Sequence, residues 1–431
     1  MSCPEIAIIG GGYAGMAAAV RLSELGIPSI VLEAGPVLGG RARRIQYREM
    51  ALDNGQHILS GAYASLLGQM RRVGVASEAL RRIPLSQNFP PAFSLRAPKL
   101  PAPLHLAWAL LTAKGLDWRA RRAATRFMQA LKSSQFKVDP AWTVDQLVSF
   151  HRQPATVVEW LWAPLTISAL NTPTSLASAQ VFANVLRDAL ASSREASDLL
   201  LPMTDLSALF PEPAAAWLSE RGSKVLTSAR VTKLQPHATG VSVCQNGVDQ
   251  SFSRVIIAVG PQQIDVLGCE GLSSPAFRYQ PIYTVYLQYP VDVTIPYAMT
   301  GRTQGLTQWF FDRAQLSTAG QAGGLVAAVI SAQGDHENLD HTELAARIHG
   351  ELITLAGPLP APLWHKVIAE KFATFSCTPG LVRPATTTGV RHCFLAGDYV
   401  AGDYPATLES AVRSGILAAE QVASSLPVTI R

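Results

Sequence analysis

The chain has 431 residues, of which 48% are hydrophobic and 16% are charged. This length predicts two or three structural units, and the composition provides a large apolar core and excludes an intrinsically disordered chain. The net charge is +5, and no run of Lys and Arg with interleaved aromatic residues occurs. We therefore expect no nucleic-acid partner.

The cysteines are odd in number and none of them lies in a CxxC spacing, so we expect reduced thiols. They are Cys3, Cys244, Cys269, Cys377 and Cys393. The N-terminus, MSCPEIAIIGGG, lacks the basic region and cleavage site of a signal peptide. No stretch approaches the roughly 20 apolar residues that a membrane-spanning helix needs. These features predict a cytoplasmic protein.

The N-terminal segment predicts the first half of a parallel α/β sheet. Glu5–Ile9 is an apolar run typical of a buried strand. Ala14–Leu25 predicts a helix, and Ser29–Leu32 predicts a second strand. Such strand–helix–strand units build α/β folds.

A GxGxxG pattern lies between the first strand and the helix. Gly10 permits a tight turn, Gly12 lets a diphosphate approach the backbone, and Gly15 lets helix and strand pack closely. Glu33, at the end of the second strand, can accept hydrogen bonds from ribose hydroxyls. A glycine-rich structural turn is the alternative, but strand, helix and acid in register favour dinucleotide binding. The nucleotide contacts expected here are Gly10, Gly12, Tyr13, Ala14, Gly15, Glu33 and Ala34.

The motif LGGRARR follows at residues 38–44. Gly40 allows a second close approach of backbone to ligand, and Arg41 can pair with a phosphate in a bidentate manner. The alternative is a surface loop with an exposed arginine, but the position directly after Glu33 favours binding.

The motif LDNGQH occupies residues 52–57. Its Asn54, Gly55 and Gln56 are expected close to the redox ring of a dinucleotide. The ionisable side chains in this motif that could donate a proton are Asp53 and His57. A histidine is more often a hydrogen-bonded structural residue, so the catalytic hypothesis for His57 rests on position alone.

The predicted secondary structure changes twice in the middle of the chain. Residues from about 60 to 220 predict mainly helices, among them the basic, amphipathic Trp118–Leu131 and a helix capped by Thr143. Residues 223–260 and 279–334 return to short strands rich in β-branched residues.

The C-terminal motif LAGDYVAGDYPATLESAVRSG, residues 395–415, predicts a strand, an Asp-bearing turn and a helix. Gly397 ends the strand, and Asp398 can bind the ribityl hydroxyls of a flavin. A helix that begins near Thr407 and Leu408 would direct its positive end at the pyrimidine edge of the flavin. An ordinary Gly-Asp turn is the alternative, but the distant N-terminal motif argues against it.

Together these motifs resemble the FAD-dependent amine oxidase and phytoene desaturase superfamily. More narrowly, the chain resembles the hydroxysqualene dehydroxylases nearly from end to end. The segments that carry this narrower resemblance are LDNGQH, LWAPLTISALNTPTSLASAQVF (161–182), QWFFDR (308–313), ATFSCTPGLVRPAT (373–386) and the C-terminal motif. Tyr399 and Phe372 stand where Trp and Arg are expected, which bears on the substrate and not on the flavin.

The resemblance implies an FAD cofactor and adds Val231, which would contact the adenine through its backbone. It implies reduction of hydroxysqualene, a C30 allylic alcohol, to squalene. Loss of the hydroxyl as water would leave an allylic cation, which receives hydride from N5 of the reduced flavin. His57 or Asp53 would be the acid, and an electron donor that the sequence does not identify would reduce the flavin. The walls of the substrate pocket would include Trp162, Leu165 and Leu170.

The predicted fold is α/β. A Rossmann-like FAD-binding domain of the GR2 type, with a parallel sheet, is expected from residues 1–75, 215–272 and 385–431. An inserted α+β substrate domain, which includes a helical part, is expected from residues 76–214 and 273–384.

Two rival functions stay open. A desaturase of phytoene or squalene-type isoprenoids would use the same fold and cofactor, with hydride flowing from substrate to flavin. A prenyl-lipid escort protein would use the fold without flavin, and would be expected to lack the Gly-Asp motif. His336 and His341 lie among acids without a zinc spacing, so no metal is expected.

A membrane surface is a further possible partner. Residues 103–127 join an apolar stretch to a basic one, as in a helix that lies in the membrane interface. A buried helix followed by an exposed basic helix fits the pattern equally well. The first alternative predicts peripheral binding to the inner face of a membrane.

Overall fold

The computed structural model of the protein describes residues 6–316 and 323–427. Cys3 and Glu5, the first residue of the predicted N-terminal strand, lie outside the described residues. The described cysteines are free thiols. In the described part of the chain, every helix is too short or too polar to cross a lipid bilayer.

The strands of the described residues, in chain order, are β1 (Ile6–Ile9), β2 (Ser29–Leu32), β3 (Arg44–Tyr47), β4 (Met50–Asp53), β5 (Leu59–Ser60), β6 (Leu80–Ile83), β7 (Ser86–Phe89), β8 (Phe93–Arg96), β9 (Leu199–Pro202), β10 (Lys224–Leu226), β11 (Val231–His237), β12 (Gly240–Gln245), β13 (Val248–Phe252), β14 (Arg254–Ile257), β15 (Tyr279–Gln288), β16 (Met299–Gly301), β17 (Trp309–Asp312), β18 (Leu325–Ser331), β19 (Trp364–Phe375) and β20 (Cys393–Leu395).

The helices are α1 (Tyr13–Glu24), α2 (Ala64–Arg72), α3 (Leu104–Thr112), α4 (Trp118–Ser133), α5 (Val144–Phe150), α6 (Ala155–Val157), α7 (Ala163–Leu170), α8 (Ala179–Leu190), α9 (Leu206–Leu209), α10 (Pro211–Ser219), α11 (His341–Ala356) and α12 (Leu408–Ser425). A π-helical stretch, Val158–Trp162, joins α6 to α7.

A five-stranded parallel sheet has the order β10–β2–β1–β14–β20. In the central strand β1, Ile6 and Ile8 pack in the hydrophobic core that contains residues of α1 and α12. Ala7 and Ile9 pack in the hydrophobic core on the opposite face of the sheet. A parallel sheet covered on both faces requires such continuously apolar strands. The predicted α/β fold is therefore confirmed, while the exact domain boundaries stay a prediction.

The first and last long helices of the chain, α1 and α12, pack against each other beside this sheet. Their backbones approach closely at Gly415, where an added Cβ would lie 2.1 Å from the carbonyl oxygen of Ala14. The contact holds the N-terminal and C-terminal motifs beside one another, although about 400 residues separate them in the sequence.

A second, antiparallel sheet has the order β16–β17–β18–β15–β19. Side chains alternate across it. Phe310 and Ile330 pack beneath α11, and Trp309, Phe311 and Val329 face the opposite side. One face of this sheet is therefore covered by a helix, and the other is available for a site.

The helices α3 to α8 lie between β8 and β9 in the sequence, and their buried side chains pack in the same core as Ile9 and Trp309. The Oγ1 atom of Thr143 accepts a hydrogen bond from the Gln146 N–H at 3.3 Å, and the Gln146 side chain accepts one from the Thr143 N–H at 2.8 Å. This capping box confirms the predicted N-cap of α5. The predicted basic helix is α4, and Asp117 caps it.

The stretch from about 60 to 220 is less helical than predicted. Strands β5, β9 and β6 form a small antiparallel sheet, and β7 and β8 form a hairpin. Each of these strands has two to four residues, too few for an alternating pattern to be evident. The pair Pro90 and Pro91 lies in the hairpin turn, so its sequence resembles a linker.

Two helical glycines provide a matched test of the α1–α12 contact. Gly415→Ala should lower the free energy of unfolding by about 1–3 kcal/mol, because the new methyl group meets the Ala14 carbonyl oxygen. Gly350→Ala in α11, where a Cβ meets nothing within 4 Å, should raise it by about 0.5–1 kcal/mol. Urea unfolding of both variants measures the difference. Equal effects of the two substitutions would contradict the close contact.

Candidate functional site

A cavity of 910 Å³ opens at the carboxyl ends of the parallel strands. Residues that follow four of these strands line it: Gly10 after β1, Glu33 after β2, Ala258 after β14 and Gly397 after β20. Open α/β sheets bind ligands at this edge. The cavity continues to the face of the antiparallel sheet that α11 leaves uncovered.

The N-terminus of α1 points its backbone at this cavity. Gly12 is the N-cap, and no side chain caps the helix. A Cβ on Gly12, which lines the cavity, would lie 3.7–3.9 Å from backbone atoms of Gly39 and Gly40, at ordinary contact distance. Gly15 does not line the cavity, because it packs against the Gly10 carbonyl, which a Cβ would approach to 2.0 Å. The position of Gly12 therefore suits a bound diphosphate, and the position of Gly15 suits close packing of the helix on the strand.

The carboxylate of Glu33 is fixed by two backbone donors at the cavity wall. Its Oε2 accepts a hydrogen bond from the Gly11 N–H, and its Oε1 accepts one from the Gly35 N–H, both at 2.7 Å. A carboxylate held in this way presents its remaining lone pairs in a fixed direction, as ribose recognition requires.

Arg41 and Asp398 connect the N-terminal and C-terminal motifs. The Arg41 Nη2 lies 2.5 Å from the Asp398 Oδ1, and the Arg41 Nη1 donates to the Ala373 carbonyl at 2.7 Å. Thr407 caps α12 by accepting a hydrogen bond from the Ser410 N–H at 3.2 Å. The predicted contacts of these residues to a phosphate and a ribityl chain stay predictions, but both motifs line one cavity.

Arg313, the last residue of QWFFDR, holds the LDNGQH loop. Its Nη1 donates to the Gln56 Oε1 at 2.8 Å, and the Gln56 Nε2 donates to the His57 carbonyl at 3.2 Å. The same guanidinium lies 3.9 Å from Asp53. This arginine was not among the predicted site residues, because nothing in the sequence pairs it with a loop 257 residues away.

His57 lies on the cavity wall with one ring nitrogen engaged. Its Nδ1 lies 2.7 Å from the Gly55 carbonyl oxygen, which can only accept, so Nδ1 carries the proton. Burial, together with the nearby positive charge of Arg41, lowers the pKa of His57 below its ordinary value. Near neutral pH the ring is therefore neutral, and its Nε2 is a hydrogen-bond acceptor.

Asp53 lies behind the wall and is not one of the residues that line the cavity. It is 2% exposed, and its Oδ1 accepts a hydrogen bond from the Leu206 N–H at 2.8 Å. Burial raises the pKa of Asp53 to about 6, although Arg313 opposes this shift. Its position suits a residue that supports the loop better than one that touches a ligand.

The far half of the cavity is apolar. Its lining includes Leu85, Leu165, Met299, Trp309, Phe311 and Val329. Of the predicted wall residues, only Leu165 lines it. Trp162 instead donates from Nε1 to Gln153 at 3.0 Å and packs on Phe127 in the helical core, and Leu170 is buried without facing the cavity. The spacing of apolar residues in a sequence identifies the buried face of a helix, but not which part of the protein packs against that face. The predictions that Trp162 and Leu170 line the substrate pocket are therefore corrected.

Most of the predicted nucleotide-binding residues line the single cavity. They are Gly10, Gly12, Tyr13, Ala14, Glu33, Ala34, Gly40, Arg41, Asn54, Gly55, Gln56, Val231, Gly397, Asp398, Thr407 and Leu408. Two arginines that were not singled out, Arg43 and Arg230, also line it, and neither forms an ion pair within residues 6–316 and 323–427. The sequence signals that could have identified these arginines were the nearby motif LGGR for Arg43 and the adjacent Val231 for Arg230.

The site residues fit a flavin dinucleotide. An uncapped helix terminus, a fixed carboxylate and two arginines without an ion-pair partner in the described residues suit a ribose and a diphosphate, although Arg43 also donates to the Gly40 carbonyl at 2.6 Å. The cavity is long enough to reach a second, apolar half. No group of three His, Cys, Asp or Glu side chains that could hold a metal ion occurs among the residues with a described structure.

Comparisons with known proteins agree with this geometry. The chain is 29% identical over 438 residues to a hydroxysqualene dehydroxylase of Sinorhizobium fredii, covering 96% of this chain and 97% of the relative. It is also 29% identical to the hydroxysqualene dehydroxylase of Rhodopseudomonas palustris, with the same coverage. A zeta-carotene desaturase of Synechocystis is 24% identical and covers 97% of both chains.

Among solved structures, a putrescine oxidase redesigned in its cofactor binding superposes with a TM-score of 0.74. Its sequence is 16% identical, and the match covers 98% of this chain and 99% of that one, which supports the fold. A model of the family described as flavin containing amine oxidoreductase matches residues 13–423. The chain therefore belongs to the flavin-containing amine oxidoreductase family and is an FAD-dependent oxidoreductase.

Proposed function

We propose that this protein reduces hydroxysqualene to squalene. The observation that carries the proposal is one continuous cavity that joins the flavin-binding residues to an apolar compartment. The near end-to-end similarity to hydroxysqualene dehydroxylases supports the same substrate class. The net reaction replaces a C–OH bond with C–H and releases water, so it consumes two electrons and two protons.

The residues at the carboxyl edge of the parallel sheet would hold FAD. Glu33 would hold the adenosine ribose, the N-terminus of α1 at Gly12 would hold the diphosphate together with Arg43, and Asp398 would hold the ribityl chain. The bound flavin supplies the two electrons. The Arg41–Asp398 ion pair fixes the C-terminal motif against LGGRARR, so both ends of the cofactor are held by one rigid surface.

The leaving hydroxyl needs a proton, and His57 is positioned to provide it. Its Nδ1 is committed to the Gly55 carbonyl, so a second proton would sit on Nε2, the remaining polar atom of the ring. Because burial lowers its pKa, the protonated ring is a strong acid that transfers its proton readily. Asp53 assists by holding Arg313 and, through it, the loop.

The apolar walls protect the reacting carbon from water. Trp309 is fixed by donating its Nε1 proton to the Ser168 hydroxyl at 2.9 Å, and its ring lies 5.3 Å from that of Phe89. Phe311 and Met299 extend the same wall. A cationic carbon next to aromatic faces is stabilised electrostatically without a nucleophile that could trap it.

A membrane-docking surface delivers the lipid substrate. Leu104, Trp108 and Leu111 are spaced as one face of α3 and are 58%, 53% and 55% exposed. The next helix, α4, carries the exposed basic residues Arg119, Arg122 and Arg126, and its Arg121 donates to the Ala113 carbonyl at the end of α3 at 2.7 Å. On the buried side of α3, His105 Nε2 lies 3.1 Å from the hydroxyl of Ser197, which lines the cavity. The apolar face and the cavity are thus separated by one helix.

Anaerobic turnover tests the function. Purified protein should be yellow, and the chemically reduced protein mixed with hydroxysqualene should form squalene and reoxidised flavin in a 1:1 ratio. A desaturase would instead reduce its oxidised flavin with phytoene, and an escort protein would carry no flavin. Product analysis by mass spectrometry distinguishes these outcomes, and failure to form squalene would refute the proposal.

Replacement of His57 tests the proton donor. His57→Ala should lower kcat by about a hundredfold or more, because a general acid contributes at least that much. The wild-type rate should fall as the pH rises through the lowered pKa of His57, since only the protonated ring donates. The variant should lose this dependence. His365→Ala, outside the cavity lining, is the control, and unchanged turnover in His57→Ala would eliminate the residue.

Liposome flotation tests the docking surface. The wild-type protein should float with anionic vesicles, and changing Leu104, Trp108 and Leu111 to Gln should weaken binding more than about a hundredfold. The matched control changes three similarly exposed apolar residues elsewhere, Val248, Val291 and Leu363, to Gln. Equal binding of the two triple variants would count against α3.

A further inference from the structure

Four buried amide side chains line the cavity, and three of them are hydrogen-bonded within the protein. Asn54 donates to the Arg41 carbonyl at 3.2 Å, and Gln56 accepts from Arg313 at 2.8 Å. Asn171 donates to the Thr374 hydroxyl at 3.0 Å and accepts from the Ala332 N–H at 2.8 Å. The fourth is Gln87.

Gln87 has no such partner. It is 5% exposed, and its side chain forms no hydrogen bond with any residue of the two described stretches, 6–316 and 323–427. It still borders the cavity, so its amide is open to whatever the cavity contains. Buried amides are nearly always hydrogen-bonded, since an unpaired one costs free energy. Neither polar atom of this amide is among the fully enclosed unpaired side-chain atoms of the described residues, so a polar group inside the cavity can reach and pair with it.

Gln87 lies in the apolar half of the cavity and not in the half that would hold the dinucleotide. Gln87 lies on β7, on the same face as Phe89, because alternate residues of a strand share a face. Phe89 packs against Trp309 and against Gly301 of β16, which places β7 on the antiparallel sheet. The lining residues of this region are apolar, among them Leu85 and Met299.

We propose that Gln87 binds the hydroxyl group of the substrate; this inference rests on the proposed function. An amide offers a donor and an acceptor, and a hydroxyl offers the same pair, so the two groups satisfy each other. A long hydrocarbon with a single hydroxyl would have one place in this compartment where its polar group is paired. The hydrogen bond then fixes which carbon of the chain lies at the reaction centre.

The same contact separates substrate from product. Squalene has no hydroxyl, so its formation leaves the Gln87 amide without its partner again. The cavity therefore binds the alcohol more tightly than the hydrocarbon, and loss of the hydroxyl favours product release. A site built to pair a hydroxyl discriminates against a ligand that lacks it.

The experiment compares two ligands in wild type, in variants of Gln87 and in a control variant. KM for hydroxysqualene and the inhibition constant of squalene are measured in the same detergent micelles for wild type, Gln87→Leu and Gln87→Met. Both variants should lower kcat/KM for hydroxysqualene about tenfold, the effect of one lost hydrogen bond, and leave the squalene inhibition constant unchanged or lower. Gln235→Leu, at an exposed glutamine of β11, is the matched control.

The squalene constant and the bound flavin verify that each variant is folded. If wild type converts hydroxysqualene and both Gln87 variants keep its preference for the alcohol over squalene, the proposed function is supported and the proposed role of Gln87 is refuted. If wild type neither converts hydroxysqualene nor prefers it to squalene, the proposed function itself fails. A Gln87→Asn variant with an intermediate preference would support the hydrogen bond, because its amide is kept but displaced.

Discussion

The site depends on the convergence of parallel strands at one edge of a sheet. Parallel strands bring their carboxyl ends to the same side, and here the turns after β1, β2, β14 and β20 all border one cavity. Each turn contributes a different group: a glycine backbone, a carboxylate or an Asp-bearing loop. Segments from the start, middle and end of the chain therefore meet around a single ligand.

This convergence needs close backbone packing as well as hydrogen bonding. Gly15 lets α1 lie on the turn at Gly10, and Gly415 lets α12 lie on α1. With both helices in place, Arg41 reaches Asp398 and joins the two motifs by an ion pair. The pair is partly shielded from water, so it contributes more than an exposed pair would and orients both side chains.

Most of the residues that the sequence predicts to bind the dinucleotide line one cavity, because the requirements of such a site are local. A turn that must admit a diphosphate requires glycine, and a strand end that must bind a ribose requires an acid, so Gly12 and Glu33 could be placed without tertiary information. The apolar half is different. Trp162 and Leu165 lie three residues apart in one helix, and only the packing of that helix on Phe127 determines which of them faces the cavity. Gln87 could not be predicted because it lies in a hairpin whose four-residue strands are too short to show a strand pattern.

The distribution of charge within the cavity follows from the chemistry it serves. Glu33 and Asp398, which we propose to hold the nucleotide, lie at the carboxyl edge of the parallel sheet. Asp53 lies behind the cavity wall, where it is near Arg313 and accepts a hydrogen bond from the Leu206 N–H. Arg313 in turn holds Gln56, and Gln56 holds the backbone of His57. The loop that carries the candidate acid is thus fixed from behind by a buried ion pair, and its side chains that line the cavity, Asn54, Gln56 and His57, are uncharged near neutral pH. The carboxylate of Glu370, which also lines the cavity, accepts a hydrogen bond from the Asn54 amide at 3.2 Å. A neutral imidazole, amides and apolar walls beside the substrate allow a cationic carbon to form and to be reduced without being trapped.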